Sequence, residues 1–157
     1  MAEAQTPPAG PDLTQGVTAS EFSGETLLGH VGDQDVLLVR SGSEIFAIDA
    51  HCSHYHGPLA EGLVTGDSIR CPWHHACFDL RSGEATRAPA LSALAVWQVD
   101  HEGDRIFVRQ KREGPKPRSK GADDAPGKIV IVGGGAAGFA AAEMLRRREY
   151  RGSIVML

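Results

Sequence analysis

Two short segments, HCSHYHGPLAEG at residues 51–62 and RCPWHHACFDLRSGE at 70–84, bring cysteines and histidines together at spacings that suit metal ligation. One residue separates Cys52 from His54, two separate Cys71 from His74, and 16 residues lie between the pairs. Each segment offers one thiolate and one imidazole, so four ligands from two segments imply a metal centre clamped between loop tips. A structural zinc site would more usually draw a Cys pair from one knuckle and a more widely spaced His pair from a helix. With Cys and His this close in sequence, each pair more easily reaches two metal atoms than chelates one, so two irons fit better than one zinc. A zinc-bound interaction module is the non-redox alternative.

The elements that must position these ligands are strands. From Glu25 to Asp49 the runs ETLLGHV, DVLLVR and EIFAID alternate with the turn-like GDQ and SGS, the pattern of an antiparallel meander. SIR at 68–70, CFDL at 77–80, LAVWQVD at 94–100 and RIFVR at 105–109 read as further strands, the last two joined as a hairpin through HEGD. Residues 1–15, with Pro7, Pro8, Gly10 and Pro11, hold too little apolar surface to offset ordering and read as a mobile tail. The β domain then covers residues 16–110. Residues 111–127, dense in Pro, Gly and charge, have the composition of a linker, and 128–157 read as strand, Gly-rich turn, helix with a stop at Gly152, and second strand. The fold class is mostly β: a small antiparallel domain, then an incomplete βαβ fragment.

Composition narrows the function classes. A formal charge of −4 in 157 residues leaves no basic stripe for nucleic acid. The N-terminus has neither a basic start nor an apolar run, and no stretch approaches the roughly 18 apolar residues of a membrane span. The expectation is a cytoplasmic protein with no membrane partner. Three cysteines, an odd number, argue for ligand thiols in a reducing compartment rather than a disulfide framework.

The two segments together resemble the cluster-binding loops of the Rieske [2Fe–2S] family. That resemblance implies that Cys52 and Cys71 hold one iron, that His54 and His74 hold the other, and that the proline of RAPALSAL, Pro89, lies against the cluster. It also makes three departures visible. Members that bridge the loops with a disulfide carry cysteines at the positions of Gly57 and Trp73, so here the cluster would be held without one. High-potential members place hydroxyls at the positions of Ala76 and Phe78, and without those donors the potential should sit at the low end of roughly −150 to +300 mV. Related sequences often have Gly at the positions of His56 and His75, which read either as imidazoles bordering the cluster or as solvent-facing loop-tip residues, the latter favoured. The resemblance also implies that deprotonation of the ligand histidines is favoured in the oxidised state. Cys77 reads as a small buried apolar group, Trp73 and Tyr55 as shields packed on the loops, and His30, His51 and His101 as bystanders.

Gly133-x-Gly135-x-x-Gly138 follows the strand KIVIV and opens a helix, the arrangement that lets a pyrophosphate approach a helix N-terminus. It is similar to the FAD-binding start of pyridine-nucleotide-disulfide-reductase-like flavoproteins, and an acidic ribose ligand would fall just past Leu157. The order of parts resembles apoptosis-inducing-factor-like reductases, in which a Rieske domain precedes an NAD(P)H-dependent flavoprotein. The implied function is one-electron transfer between a flavin domain or reductase and an unidentified acceptor protein, with FAD bound only in a longer form. This chain alone then lacks a complete catalytic domain. The alternative within the redox class is the ferredoxin component of a Rieske oxygenase system.

Overall fold

In the computed structural model, which describes residues 9–112 and 126–157, four consecutive apolar residues, Val36, Leu37, Leu38 and Val39, are all fully buried. Side chains alternate across a strand, so such a run demands cover on both faces. The chain meets that demand with two sheets in its first unit, Met1–Gly114. Strands β1 (Val17–Thr18), β2 (Thr26–Val31), β3 (Gln34–Ser41) and β4 (Glu44–Asp49) are followed by the short strands β5 (Leu63–Thr65), β6 (Ser68–Arg70), β7 (Cys77–Asp79) and β8 (Ala85–Arg87). The long pair β9 (Val96–Glu102) and β10 (Arg105–Arg112) closes the unit. A six-stranded sheet runs β1-β10-β9-β4-β3-β2, a four-stranded sheet runs β5-β6-β7-β8, and all their pairings are antiparallel.

The alternation in β3 feeds two cores. Val36 and Leu38 pack with Leu13, Val17, Ala47, Trp97, Ile106 and Val108, whereas Leu37 and Val39 pack with Ile48, Leu59, Ile69, Phe78 and Leu80. The second core joins the two sheets, and it contains Cys52 and Cys71. The smaller sheet is an excursion between β4 and β9, which pair directly through Ala47↔Trp97 and Ile48↔Val96. Tight turns with left-handed glycines at 32, 42 and 103 join β2 to β3, β3 to β4 and β9 to β10, as the sequence pattern requires.

The second unit, Pro115–Leu157, holds β11 (Lys128–Ile131), α1 (Ala136–Arg147) and β12 (Ser153–Met156), with β11 and β12 parallel in register from Lys128↔Ser153 to Ile131↔Met156. Gly133 has φ +104°, and a Cβ on Gly138 would lie 2.0 Å from the Gly133 carbonyl oxygen, so the turn closes onto α1 only with glycine there.

Three expectations are corrected. Of the stretch read as a tail, residues 1–8 lie outside the described residues, but Leu13 is fully buried, and the Asp12 carboxylate accepts from the Thr14 N–H at 2.9 Å to cap a short 3-10 turn. A single apolar residue among prolines suffices because Gly29 leaves room for it on β2. Strand β10 runs through Lys111 and Arg112, two residues into the stretch read as a linker, where the Lys111 ammonium lies 5.0 Å from the Trp97 ring and 3.7 Å from Asp49; residues 113–125 of that stretch lie outside the described residues. Helix α1 ends at Arg147, before Gly152, with Glu149 taking the left-handed turn. Gly152 instead leaves space for the Tyr150 hydroxyl, which donates to the Pro126 carbonyl at 2.6 Å.

Leu13→Ala is expected to destabilise the protein by about 2–5 kcal/mol in urea unfolding, the cost of a cavity in a closed core; a loss near zero would mean that the N-terminal turn does not pack. Acid should also act on this unit. Hydrogen bonds from Thr14 to Asp12, from His51 to Asp35, from Arg81 to Glu44 and from Gln98 and Arg109 to Asp100 hold these carboxyls below their usual range. Their folded-state pKa values are depressed, so their contribution is complete above about pH 5 and is lost as pH falls through the folded values. Thermal melts between about pH 7 and pH 3 should fall steadily, and Asp12→Asn should lower the neutral-pH midpoint while flattening the acid limb.

Candidate metal centre

Two loops of the same design face each other at one end of the β unit. In the first, the Cys52 N–H donates to the Gly57 carbonyl at 2.9 Å and the His56 N–H to the Cys52 carbonyl at 2.8 Å. In the second, the Cys71 N–H donates to the Ala76 carbonyl at 2.8 Å and the His75 N–H to the Cys71 carbonyl at 3.2 Å. Cys52 thus matches Cys71, His56 matches His75 and Gly57 matches Ala76. Closing this turn requires a left-handed residue at the fourth step, and His56 (φ 55°) and His75 (φ 64°) supply it. Glycine would do so without steric cost; a side chain in that conformation costs about 1 kcal/mol. Both histidines are exposed, as the loop-tip reading holds.

The cysteine thiols point inward. Cys52 and Cys71 are 2% and 1% exposed, and each is a member of the core that joins the two sheets. Burial pushes the Cys52 thiol up and the neighbouring Cys71 adds to the rise, while the backbone N–H groups of His54 and Tyr55 directed at its sulfur act the other way. Amides aimed at sulfur favour the thiolate, and a positive group beside the two would complete what the amides begin. The histidines gather outward of the thiols. The His54 and His74 rings stand 5.0 Å apart at 89°, and Tyr55 lies 4.5 Å from the His54 ring and 5.8 Å from that of His74. His54 Nδ1 is buried with no hydrogen-bond partner. A buried imidazole nitrogen left without a partner is costly unless something coordinates it.

Among the described residues, no three His, Cys, Asp or Glu side chains converge on one point. Two pairs form instead: two neighbouring buried thiols, and two crossed imidazoles of which one has a buried nitrogen without a partner. That donor set, sulfur on one side and nitrogen on the other, suits a group with two metal atoms better than a single tetrahedral ion.

The loops are held without a covalent bridge, since the cysteines are free. A Cβ on Gly57 would lie 2.9 Å from Cys71 Sγ and 3.2 Å from the Trp73 ring, so the indole of one loop rests on the bare backbone of the other. Ser53 Oγ donates to the Ser92 carbonyl at 2.6 Å and ties the first loop to the segment after β8, where Pro89 is partly buried. Asp49 accepts from the Ala95 N–H at 3.0 Å and from Trp97 Nε1 at 3.2 Å and fixes the far end of that segment. Neither Ser53 nor Asp49 stood out in the sequence; the only hint was a hydroxyl between Cys52 and His54.

The remaining candidates are placed as follows. Ala76 and Phe78 are fully buried and bring no hydroxyl to the thiols. Cys77, expected to be buried, is only partly so, its Sγ 3.6 Å from the His75 carbonyl, at the point where the β7–β8 register shifts. Trp73 and Tyr55 pack on the loops as expected but remain 54% and 67% exposed. His51 is no bystander: its Nε2 meets Asp35 Oδ2 at 3.0 Å, anchoring the start of the first loop on β3. His30 Nδ1 is buried without a partner, and His101 is exposed on β9. In the second unit Gly135 is the N-cap of α1, Gly133 makes the turn and Gly138 is buried beneath it. No helix among the described residues is long and apolar enough to cross a membrane.

Residues 16–98 match the family described as the Rieske [2Fe-2S] domain. The chain is 34% identical to human "Apoptosis-inducing factor 3" over 77% of its own length and 22% of that protein, so it spans about a fifth of that relative. It is 36% identical to the "Biphenyl 2,3-dioxygenase, ferredoxin component" of Rhodococcus jostii, over 54% of this chain and 79% of that one. Among solved structures, the ferredoxin of carbazole 1,9a-dioxygenase from Nocardioides aromaticivorans superposes with a TM-score of 0.56 at 29% identity, covering 59% of this chain and 92% of the other.

Gly57→Ala tests the contact between the loops. The added methyl has no room between Cys71 Sγ and the indole, so a loss of about 1–3 kcal/mol in denaturant unfolding and a lower yield of metal-loaded protein are expected. An unchanged midpoint with full metal content would show that the loops do not meet at this glycine.

Proposed function

The chain belongs to the Rieske [2Fe-2S] domain family, and from that premise we propose that Cys52 and Cys71 hold one iron and His54 and His74 the other of a [2Fe–2S] cluster in an electron-transfer protein. The observation that carries this ligand assignment is the pairing of two buried thiols and, on the same two loops, of two crossed imidazoles, with His54 Nδ1 buried and unpartnered. When bound, the cluster supplies a reversible one-electron centre. The residues of the chain do the rest. Cys52 and Cys71 give up their protons to ligate, helped at Cys52 by the His54 and Tyr55 amides. The apolar core beneath them excludes water. His54 and His74 stand on the outer side, where His74 is exposed and gives electrons a short route to a partner. Ala76 and Phe78 bring no hydroxyl donors, which supports a potential at the low end of the Rieske range, suited to a nicotinamide-derived donor.

We assign residues 9–112 to this module and 128–157 to the start of a dinucleotide-binding domain. Gly133, Gly135 and Gly138 have the turn and the close packing that a pyrophosphate site at a helix N-terminus needs. That turn, together with the 34% identity to apoptosis-inducing factor 3 over 77% of this chain, supports an FAD-binding partner domain in a longer polypeptide. The reading is therefore an electron-transfer module of an NAD(P)H-dependent flavoprotein in the cytoplasm, passing single electrons between a flavin and an acceptor protein. A stand-alone ferredoxin role in an oxygenase system is the second reading, favoured by the match to nearly the full length of the biphenyl dioxygenase ferredoxin component.

Protein purified without oxygen and reduced with dithionite is expected to give a rhombic low-temperature EPR signal with the low average g-value of a mixed sulfur and nitrogen cluster. Cys52→Ser and Cys71→Ser should lose it together with the colour, and His54→Cys should move the g-values upward. A colourless, EPR-silent protein carrying stoichiometric zinc would overturn the proposal.

A further inference from the structure

A histidine that ligates a metal usually has its ring plane fixed by a hydrogen bond from its second nitrogen to a carboxylate or a carbonyl. Among the described residues, the rings of His54 and His74 make no such bond. The terminal torsion of a histidine is broad, so a ring without that support has a loosely defined plane. What meets the two imidazoles instead is a third ring. Tyr55 lies 4.5 Å from His54 at 87° and 5.8 Å from His74 at 52°, while the two imidazoles cross at 5.0 Å and 89°. All three separations are those of attractive edge-to-face and tilted aromatic pairs.

The local backbone makes this grouping possible. Adjacent side chains on an extended strand point to opposite faces, so His54 and Tyr55 touch only because the chain turns between them and its neighbours. That turn is closed by the His56 N–H on the Cys52 carbonyl at 2.8 Å, and the Tyr55 N–H is directed at the Cys52 sulfur. The tyrosine backbone is thus held by its own loop while its ring reaches His74 of the other. Its hydroxyl has no hydrogen-bond partner among the described residues, and the residue is 67% exposed. The fold uses the ring and leaves the hydroxyl idle.

We infer that Tyr55 is a positioning residue whose ring braces His54 against His74 across the two loops and so fixes the planes of both imidazoles. The inference rests on the ligand assignment above. It goes beyond shielding, because a shield only covers what lies beneath it, whereas a brace sets an angle. Trp73 supplies the contrast: it is also an exposed aromatic of these loops, but it rests on the Gly57 backbone and has no ring contact with either imidazole.

The test uses the cluster-loaded protein reduced with dithionite. Pulsed EPR reads the couplings of the two ligand nitrogens, which depend on how each imidazole plane is set, and a second assay follows loss of the cluster to excess chelator. Tyr55→Phe keeps the ring and should match the unaltered protein in both. Tyr55→Leu should shift or spread the nitrogen couplings and speed cluster loss by about twofold to tenfold, the worth of such a ring contact, with far-ultraviolet circular dichroism unchanged. Should Tyr55→Leu come without its cluster, Tyr55→Met, which keeps bulk but has no ring, is expected to show the same spread. Trp73→Leu should leave the couplings as they are, even if the cluster is lost faster.

Couplings in Tyr55→Leu or Tyr55→Met identical to those of the unaltered protein overturn the inference, whatever the rate of cluster loss. So does a Tyr55→Phe variant that departs as far as Tyr55→Leu, since the effect would then belong to the hydroxyl, and so does an equal shift in Trp73→Leu. Absence of two histidine nitrogen couplings in the unaltered protein takes down the ligand assignment itself and is recognised before any variant is made.

Discussion

The architecture turns on the burial of both faces of one strand. Val36 and Leu38 look one way and Leu37 and Val39 the other, and each direction must be filled with apolar side chains. Filling the second direction draws the small four-stranded sheet against the larger one. Cys52 and Cys71 are part of that filling, side by side with Ile69, Phe78 and Leu80. The positions of the two thiols are therefore set by the same close packing that stabilises the fold, rather than by the loops alone. Burial in that packed layer is also the largest of the influences that raise the Cys52 thiol.

Above the thiols, rigidity comes from a repeated backbone device. Two turns with the same pair of main-chain hydrogen bonds hold two cysteines at the same step and leave their tips outside the core. Noncovalent contacts then lock the turns together: an indole on a glycine, a serine hydroxyl on a carbonyl, and a carboxylate on an amide and an indole N–H. None of these depends on the redox state of the surroundings, as a disulfide would.

Much of this was legible in the sequence, for a definite reason. The strand runs from Glu25 to Asp49 and the Cys and His spacing are local patterns, and local patterns survive folding. The strands between Glu25 and Asp49 lie where those patterns put them, whereas the short β1, β5 and β8 gave no such signal. What escaped was set by contacts distant in sequence. Leu13 sits among prolines and is buried only because β2 offers Gly29 opposite it. His51 looked idle until Asp35, 16 residues away, came within 3.0 Å. Asp49 joins residues 46 and 48 positions further along, and no window of neighbouring residues contains that information. Gly152 was misread as a helix stop because glycine has two uses, to turn the backbone or to make room, and only the position of the Tyr150 hydroxyl distinguishes them.

Strands β4 and β9 pair directly, yet everything that builds the site, from the first loop to the segment after β8, lies between them in sequence. The chain leaves the large sheet and returns to it at adjacent points. In modular terms the site is a cassette seated in a frame whose own hydrogen bonding closes beneath it. A cassette with neighbouring ends can be exchanged, lengthened or retuned without re-registering the frame, since the only fixed requirements are the two strands at its ends and the apolar underside that meets β3. Loops such as the two that carry His56 and His75 can thus change while the scaffold stays as it was.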